Sequence, residues 1–307
     1  MTRKTSSFKA AIAMLPSFLT ALAGIGLLVA PASASSLLPH RAVYELSLVS
    51  ADSEAGIAGA AGLFIFQATG SACAGWQLES TLVLTIEGRS GRQQQTRSSY
   101  SAFEASDGSA FTFESAVQTD GVSPERRLGE AVRQDNSTLT IEGEHVEGDA
   151  GSDETPRMLA TSAPSETLFP NALTAHLLQA AQDGESLGFG TVFDGTHDNG
   201  LAQPFTATIG AREIPTVTEA IRARRQSSEE RGDNHRGWDD FPKPTEAWPV
   251  TLRYFDPDRP DTGPSFTVSY LLDTNGVSEN VTLAYEAFSL GGTLSDFEAF
   301  RPESCAD

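Results

Sequence analysis

The sequence predicts a mainly β protein, an antiparallel series of strands that closes as a sandwich, a barrel or a rolled sheet. Three observations carry this expectation. Apolar residues alternate with polar ones, or form short β-rich runs, in segment after segment bounded by Gly, Asp or Ser. One stretch has helical periodicity, and it interrupts the strand series instead of alternating with it, which disfavours a parallel α/β sheet. The composition, with 27 glycines and 17 phenylalanines, suits strands and turns.

The chain opens with a segment of a different kind. Arg3, Lys4 and Lys9 precede an uncharged apolar stretch at 10–30, and Ala32, Ser33 and Ala34 offer small residues for cleavage. This is the layout of a secretory signal peptide cut after Ala34. A retained anchor is the alternative, disfavoured by Pro16, Gly24 and Gly26 inside the apolar run. No cysteine marks a lipoprotein cleavage site, and no later stretch is long and apolar enough to predict stable membrane insertion.

Residues 35–307 are then expected to form one β-rich domain. Strands are predicted at 42–49, 62–68, 76–86, 93–103, 110–117, 124–132 and 138–141. An acidic, Gly-rich loop is expected at 143–153. The helix is expected at 168–183, where Leu173, Leu177, Leu178 and Ala181 recur at helical spacing, Pro170 suits a first turn and Gly184 a stop. Its apolar face would pack on the sheet or plug the end of a barrel. Strands resume at 187–193, 205–209, 248–255, 266–272 and 277–288, with Asp273-Thr274-Asn275-Gly276 as a hairpin turn. Between them, 219–247 is polar, has neither period, holds Trp238 and is rich in proline towards its end, as befits a long exposed insertion.

The formal charge is −20, and removal of the basic leader takes the remaining residues to −23. So acidic a body repels nucleic acid and anionic lipid surfaces. The cluster Arg222, Arg224, Arg225, Arg231 and Arg236 is interleaved with Glu229, Glu230, Asp233, Asp239 and Asp240, which marks a solvated loop and not a binding patch.

Two cysteines, Cys73 and Cys305, stand near opposite ends of the exported chain. In an oxidising compartment they are expected to pair, closing a loop of about 230 residues, although two buried thiols are the alternative. Neither has the spacing of a redox dithiol or a zinc knuckle.

Catalytic signals are sparse. The chain has no G-x-S-x-G, and its five histidines include no H-E-x-x-H or H-x-H pair, so neither a serine hydrolase elbow nor a zinc site is predicted. Asp194, His197 and Asp198 would suit general-base work, but the same residues make a turn after a strand. His176 falls on the helix. Asp256, Asp258, Asp261 and Gly263 resemble part of a calcium loop, with the wrong spacing, two stiffening prolines and no closing glutamate. The aromatics Trp76, Trp248 and Tyr254, with Phe255 and Tyr270, suit a core first and the lining of a concave groove for an apolar ligand second. No cofactor is predicted.

Four stretches together resemble a known group. These are Leu38-Pro39-His40-Arg41-Ala42-Val43-Tyr44, Thr69-Gly70-Ser71-Ala72-Cys73-Ala74-Gly75-Trp76, Leu168-Phe169-Pro170, and the run from Trp248 through Pro249, Val250, Thr251, Leu252, Arg253, Tyr254 and Phe255 to Asp256. They resemble the EipB-type cell-envelope integrity proteins of alphaproteobacteria across essentially the whole mature chain. The resemblance implies a periplasmic protein whose single large antiparallel sheet rolls into a spiral or open barrel, with a disulfide matching Cys73 and Cys305. It also implies support of envelope integrity under stress, a periplasmic partner with tetratricopeptide repeats, and no catalytic residues. The long polar stretch before Trp248 and the acidic loops depart from that pattern.

Three functions follow as expectations. The first is a non-enzymatic envelope factor presenting a β surface, groove or strand edge to a protein partner. The second is a carrier or sensor of an apolar or lipid ligand. The third is a hydrolase whose only visible candidates are Asp194 and His197.

Overall fold

A computed structural model describes residues 37–122, 124–134, 138–147, 155–215, 244–259 and 261–305. The signal segment, the tip of the acidic loop, and the arginine cluster and Trp238 of the insertion lie outside them. The first eight strands are β1 (His40–Ala51), β2 (Ile57–Ser71), β3 (Gly75–Gly88), β4 (Gln93–Glu104), β5 (Ala110–Thr119), β6 (Glu125–Gln134), β7 (Thr138–Glu147) and β8 (Arg157–Pro164). Helix α1 (Pro170–Gln182) follows. Six more strands complete the chain: β9 (Leu187–Val192), β10 (Gln203–Ile209), β11 (Ala247–Tyr254), β12 (Phe266–Asp273), β13 (Ser278–Ala284) and β14 (Phe288–Ala299).

All 14 strands belong to one sheet, ordered β8-β7-β6-β5-β4-β3-β2-β1-β14-β13-β12-β11-β10-β9. The chain enters in the middle at β1 and meanders outward to β8. It then crosses through α1 to the opposite edge at β9 and meanders back until β14 lies antiparallel to β1. The result is a rolled, nearly closed antiparallel sheet with one α-helix among the described residues, the architecture the sequence predicts.

Period-two patterning decides which face turns inward. In β5, Phe111, Phe113 and Ser115 are buried while Thr112 and Glu114 are exposed, and in β1 His40, Ala42, Tyr44 and Leu46 alternate in the same way. The larger core gathers Trp76, Leu78, Phe111 and Ile141 from the first strands, Leu177 and Leu178 from α1, and Phe205, Val250 and Leu272 from the last. A second cluster under the β1–β14 pair holds Tyr44, Leu46, Leu290 and Leu294. Each such side chain fully removed from water contributes about 1.5–3 kcal/mol.

Three strand expectations change. β8 was not expected, because Arg157–Pro164 is short, small and polar and ends in proline, as an edge strand is apt to do. β7 runs on to Glu147, so residues 143–147 of the expected acidic loop are strand, with Gly143 paired to Gly129. The expected final run at 277–288 divides at a turn where Tyr285 N–H meets Phe288 C=O, and β14 continues beyond it. Gly291, Gly292, Asp296 and Glu298 interrupt the apolar pattern of β14, whose strand state rests on β1, 237 to 259 residues earlier from Ala51–Phe288 to His40–Ala299.

Candidate functional site

The turn between β2 and β3 carries Cys73 and is shaped by its neighbours. A Cβ on Gly70 would fall 2.0 Å from the Gly75 carbonyl oxygen, so the strands approach this closely only with glycine there. Ser71 Oγ accepts the Ala74 N–H at 3.2 Å. The C-terminal residues return alongside, with Phe300 N–H on Pro39 C=O at 2.8 Å and Glu303 N–H on Gly70 C=O at 3.2 Å. Cys73 and Cys305, 232 positions apart, are joined as a disulfide with Cα atoms 5.6 Å apart.

Helix α1 starts without a cap from its own N-terminal residue Phe169. Glu104, at the end of β4, supplies one. Its two oxygens accept the Asn171 and Ala172 N–H groups at 2.9 and 3.0 Å. Burial pushes the Glu104 carboxyl up to about 7 against the pull of those bonds. Asp273 plays a similar part in the β12–β13 turn, accepting Asn275 N–H at 2.8 Å and Val277 N–H at 3.0 Å, and burial lifts it to about 7. Asp273 was legible as a turn residue. Glu104 is absent from the sequence expectations, although its place two residues after inward-facing Ala102 is a signal.

The segment between β9 and β10 spans the gap between the two sheet edges. Phe193 meets Phe111 and Phe113 edge-on at 6.0 and 5.5 Å. Gly195, at φ +76°, lies so close to the Phe113 ring that a Cβ would stand 2.2 Å from it. Tyr100 Oη donates to Asp194 C=O at 2.9 Å. Buried Arg127 pairs with Asp198 and Glu125, and Arg157 donates to Asn199 Oδ1 at 3.0 Å.

Within this segment the expected acid–base group does not assemble. Asp194 turns its carboxylate to the Thr196 N–H and hydroxyl at 2.9 and 2.7 Å, an Asx turn, and Asp198 faces Arg127. His197 instead meets the loop after β11. Its Nδ1 accepts the Asn199 N–H at 3.2 Å, and its Nε2 stands 3.6 Å from Asp256 Oδ1. Asn199 Nδ2 donates to Asp258 at 2.6 Å. Two stretches weighed separately in the sequence thus share one open recess of about 320 Å³, in which His197, Asp256 and Asp258 hold potential ligand atoms within 4.8 Å of one another. Asp256 is already answered by Arg259 Nε at 2.8 Å and Asp258 N–H at 2.9 Å, and the Arg259 and Asp258 bonds hold its carboxyl below the usual range. Asp261 is not part of this cluster. The arrangement is a pair of turns fastened together.

Trp76 and Trp248 are 7% and 5% exposed and belong to the larger core, and Tyr254 packs at its margin with its ring 6.0 Å from Phe266. His176 is exposed on α1. Of the expected insertion at 219–247, residues 244–246 lead into β11 and Ala247 already belongs to it. Among the described residues no helix is long and apolar enough to cross a membrane.

The Cell envelope integrity protein EipB of Brucella abortus (strain 2308) is 27% identical over 278 residues, spanning 88% of this chain and 86% of that protein. The crystal structure of a beta-barrel-like protein of a domain of unknown function, DUF1849, also from Brucella abortus, superposes with a TM-score of 0.68 at 26% identity, covering 86% of this chain and 99% of the other. The EipB-like family profile matches residues 31–301. That profile spans most of the chain, and the chain belongs to the EipB-like family.

Proposed function

We propose that this protein is a non-enzymatic factor of the bacterial periplasm that maintains cell-envelope integrity by presenting its disulfide-clasped sheet to a protein partner. The observation that carries the reading is similarity to the Brucella abortus envelope integrity protein along 88% of the chain. The signal layout and the Cys73–Cys305 bridge support an oxidising, exported setting. Asp194 and His197 do not face each other, which weakens the hydrolase alternative. The carrier alternative loses its groove aromatics to the core, where Trp76 and Trp248 are buried. The partner proposed is a periplasmic protein with tetratricopeptide repeats, as the sequence resemblance implies.

The test is deletion of the gene followed by challenge with detergent and chelator. The deletion is expected to lower survival, and both the wild-type gene and an Asp194→Ala, His197→Ala double variant are expected to restore it. A deletion strain as resistant as its parent overturns the envelope role. Failure of the double variant alone, at normal protein levels, overturns the non-enzymatic part.

A further inference from the structure

The rolled sheet ends in two edge strands, β8 and β9. Edges are hazards because their outward main-chain groups template pairing, and proteins blunt them with charge or proline. β8 has both, Arg157 at its start and Pro164 at its end. β9, Leu-Gly-Phe-Gly-Thr-Val, has neither. Its outward side chains Leu187 and Phe189 are 69% and 84% exposed.

The hydrogen-bond pattern fixes which main-chain groups of β9 are spare. Ile209 N–H donates to Ser186 C=O at 2.9 Å, whereas Pro204 C=O is turned to β11, where it accepts Phe255 N–H at 2.9 Å. By alternation Ser186, Gly188 and Gly190 address β10, and Leu187, Phe189 and Thr191 address the open side. Thr191 C=O is taken by Leu168 N–H at 2.8 Å, which covers the far end. The N–H and C=O groups of Leu187 and Phe189 meet no partner among the described residues.

We propose that the outer edge of β9 is a docking strand that accepts an extended, apolar and basic segment of another polypeptide by strand addition. This inference rests on the partner-presenting reading above and names its site. Unpaired main-chain groups select a polypeptide main chain, and Leu187 and Phe189 select apolar side chains at alternate positions of the guest. Charge selects the rest. At the entry to β9 a recess of about 400 Å³ is lined by Glu185 and Glu246 over Ile209 and Trp248. Glu246 is paired with Arg212, while the exposed Glu185 forms no ion pair among the described residues. A lysine or arginine of the guest fits beside Glu185. A second copy of the chain, which also carries −23 once its leader is removed, is disfavoured by repulsion.

The test uses the oxidised mature protein and a displayed library of random 12-residue peptides, with the strongest binder resynthesised as a free peptide. Binders are expected to alternate apolar residues and to carry a basic residue towards one end. On binding, the Leu187 and Phe189 amides are expected to become protected from hydrogen exchange. Phe189→Pro removes the outward N–H without touching a β9–β10 bond, and should weaken the peptide about tenfold or more at an unchanged melting temperature. Phe189→Ser, which keeps the N–H, should weaken it less, and Glu185→Lys should weaken it most at low salt. Absence of binders, protection elsewhere, or indifference to Phe189→Pro overturns the proposal. Concentration-dependent self-association abolished by Phe189→Pro also overturns it, making a second copy the occupant. In a sensitised deletion strain, full rescue by Phe189→Pro sinks the docking edge while the envelope role stands. A deletion strain that is never sensitised sinks the envelope role alone, because the peptide experiments judge the edge independently.

Discussion

Where β1 lies against β14, the two ends of the chain exchange main-chain hydrogen bonds along almost their whole length, from His40–Ala299 to Ala51–Phe288. Where β8 faces β9, the same sheet comes round on itself and no ladder forms. That second seam has only two main-chain bonds, Leu168 N–H on Thr191 C=O and Phe193 N–H on Leu168 C=O, and is otherwise held by side chains: Phe193 against Phe111 and Phe113, Arg127 on Asp198, Arg157 on Asn199, and Glu104 on the start of α1. A ladder tolerates substitution because main-chain groups carry it, whereas a side-chain seam depends on each residue in it. The second arrangement also leaves a strand edge unpaired, so the place where closure depends most on side chains is the place left open to a partner.

The largest effect is expected at the closed seam. The Cys73–Cys305 bridge links the β2–β3 turn to the residues after β14, straddling the β1–β14 pair, and spans 232 positions. The chain-entropy model gives about 5 kcal/mol for such a loop. Urea unfolding of a Cys73→Ser, Cys305→Ser variant should approach that loss. A loss below about 1 kcal/mol would mean that the ladder holds the seam without the clasp.

At the open seam Phe111 is fully buried, stacked on Phe169 at 4.9 Å and edge-on to Phe193. Phe111→Ala should cost about 3–5 kcal/mol in the same measurement. A cost typical of a surface position would break the comparison, because the open seam would then not be packed by these rings.

Glu104 sharpens the comparison through pH. Its carboxyl is raised by burial from 4.5 to about 7, so between those values the folded protein keeps a proton that the unfolded chain has released. The contribution is complete below pH 4.5 and is lost as pH rises through 7, about 3 kcal/mol in all. His40 acts in the opposite sense, since burial lowers it to about 4 and its contribution is lost as pH falls from 6.5. The difference between Glu104→Gln and wild type isolates the carboxyl. Thermal melts should show that difference moving in favour of the glutamine variant from pH 5 to 8, and a constant difference would remove Glu104 from the account.

Much of this was legible in sequence because it is local. The alternation of Phe111 and Phe113, the helical spacing of Leu173, Leu177 and Leu178, and the Asp273–Gly276 turn each declare themselves within a few residues. What was not legible is non-local. β14 carries paired glycines and acidic residues, and it is strand because β1 is there to pair with it. β8 is small and polar because it is an edge. The two loops holding His197 and Asp256 each read as a turn, and their proximity comes from the β10–β11 pairing. The spare edge of β9 required the sheet order, since Leu-Gly-Phe-Gly reads equally well as an inner strand.

The smallest effects come from two arginines that make the same kind of bond in different surroundings. Arg41 and Asp296 pair across the closed seam at 3.5 Å with side chains 34% and 52% exposed, where water and salt weaken the attraction and the ladder already fixes the register. Arg127 is 7% exposed and reaches Asp198 on the segment that bridges the open seam. Its guanidinium is removed from water at one end of a contact that no ladder supports. Double-mutant cycles should give a coupling of about 0–0.5 kcal/mol for Arg41 with Asp296 and about 1–2 kcal/mol for Arg127 with Asp198. The second value should fall less steeply with added salt than its exposed partner alone would suggest, because Arg127 is shielded by the sheet. Equal couplings would mean that the open seam is held by its aromatic rings alone, and that its charged bridge is a surface contact like the other.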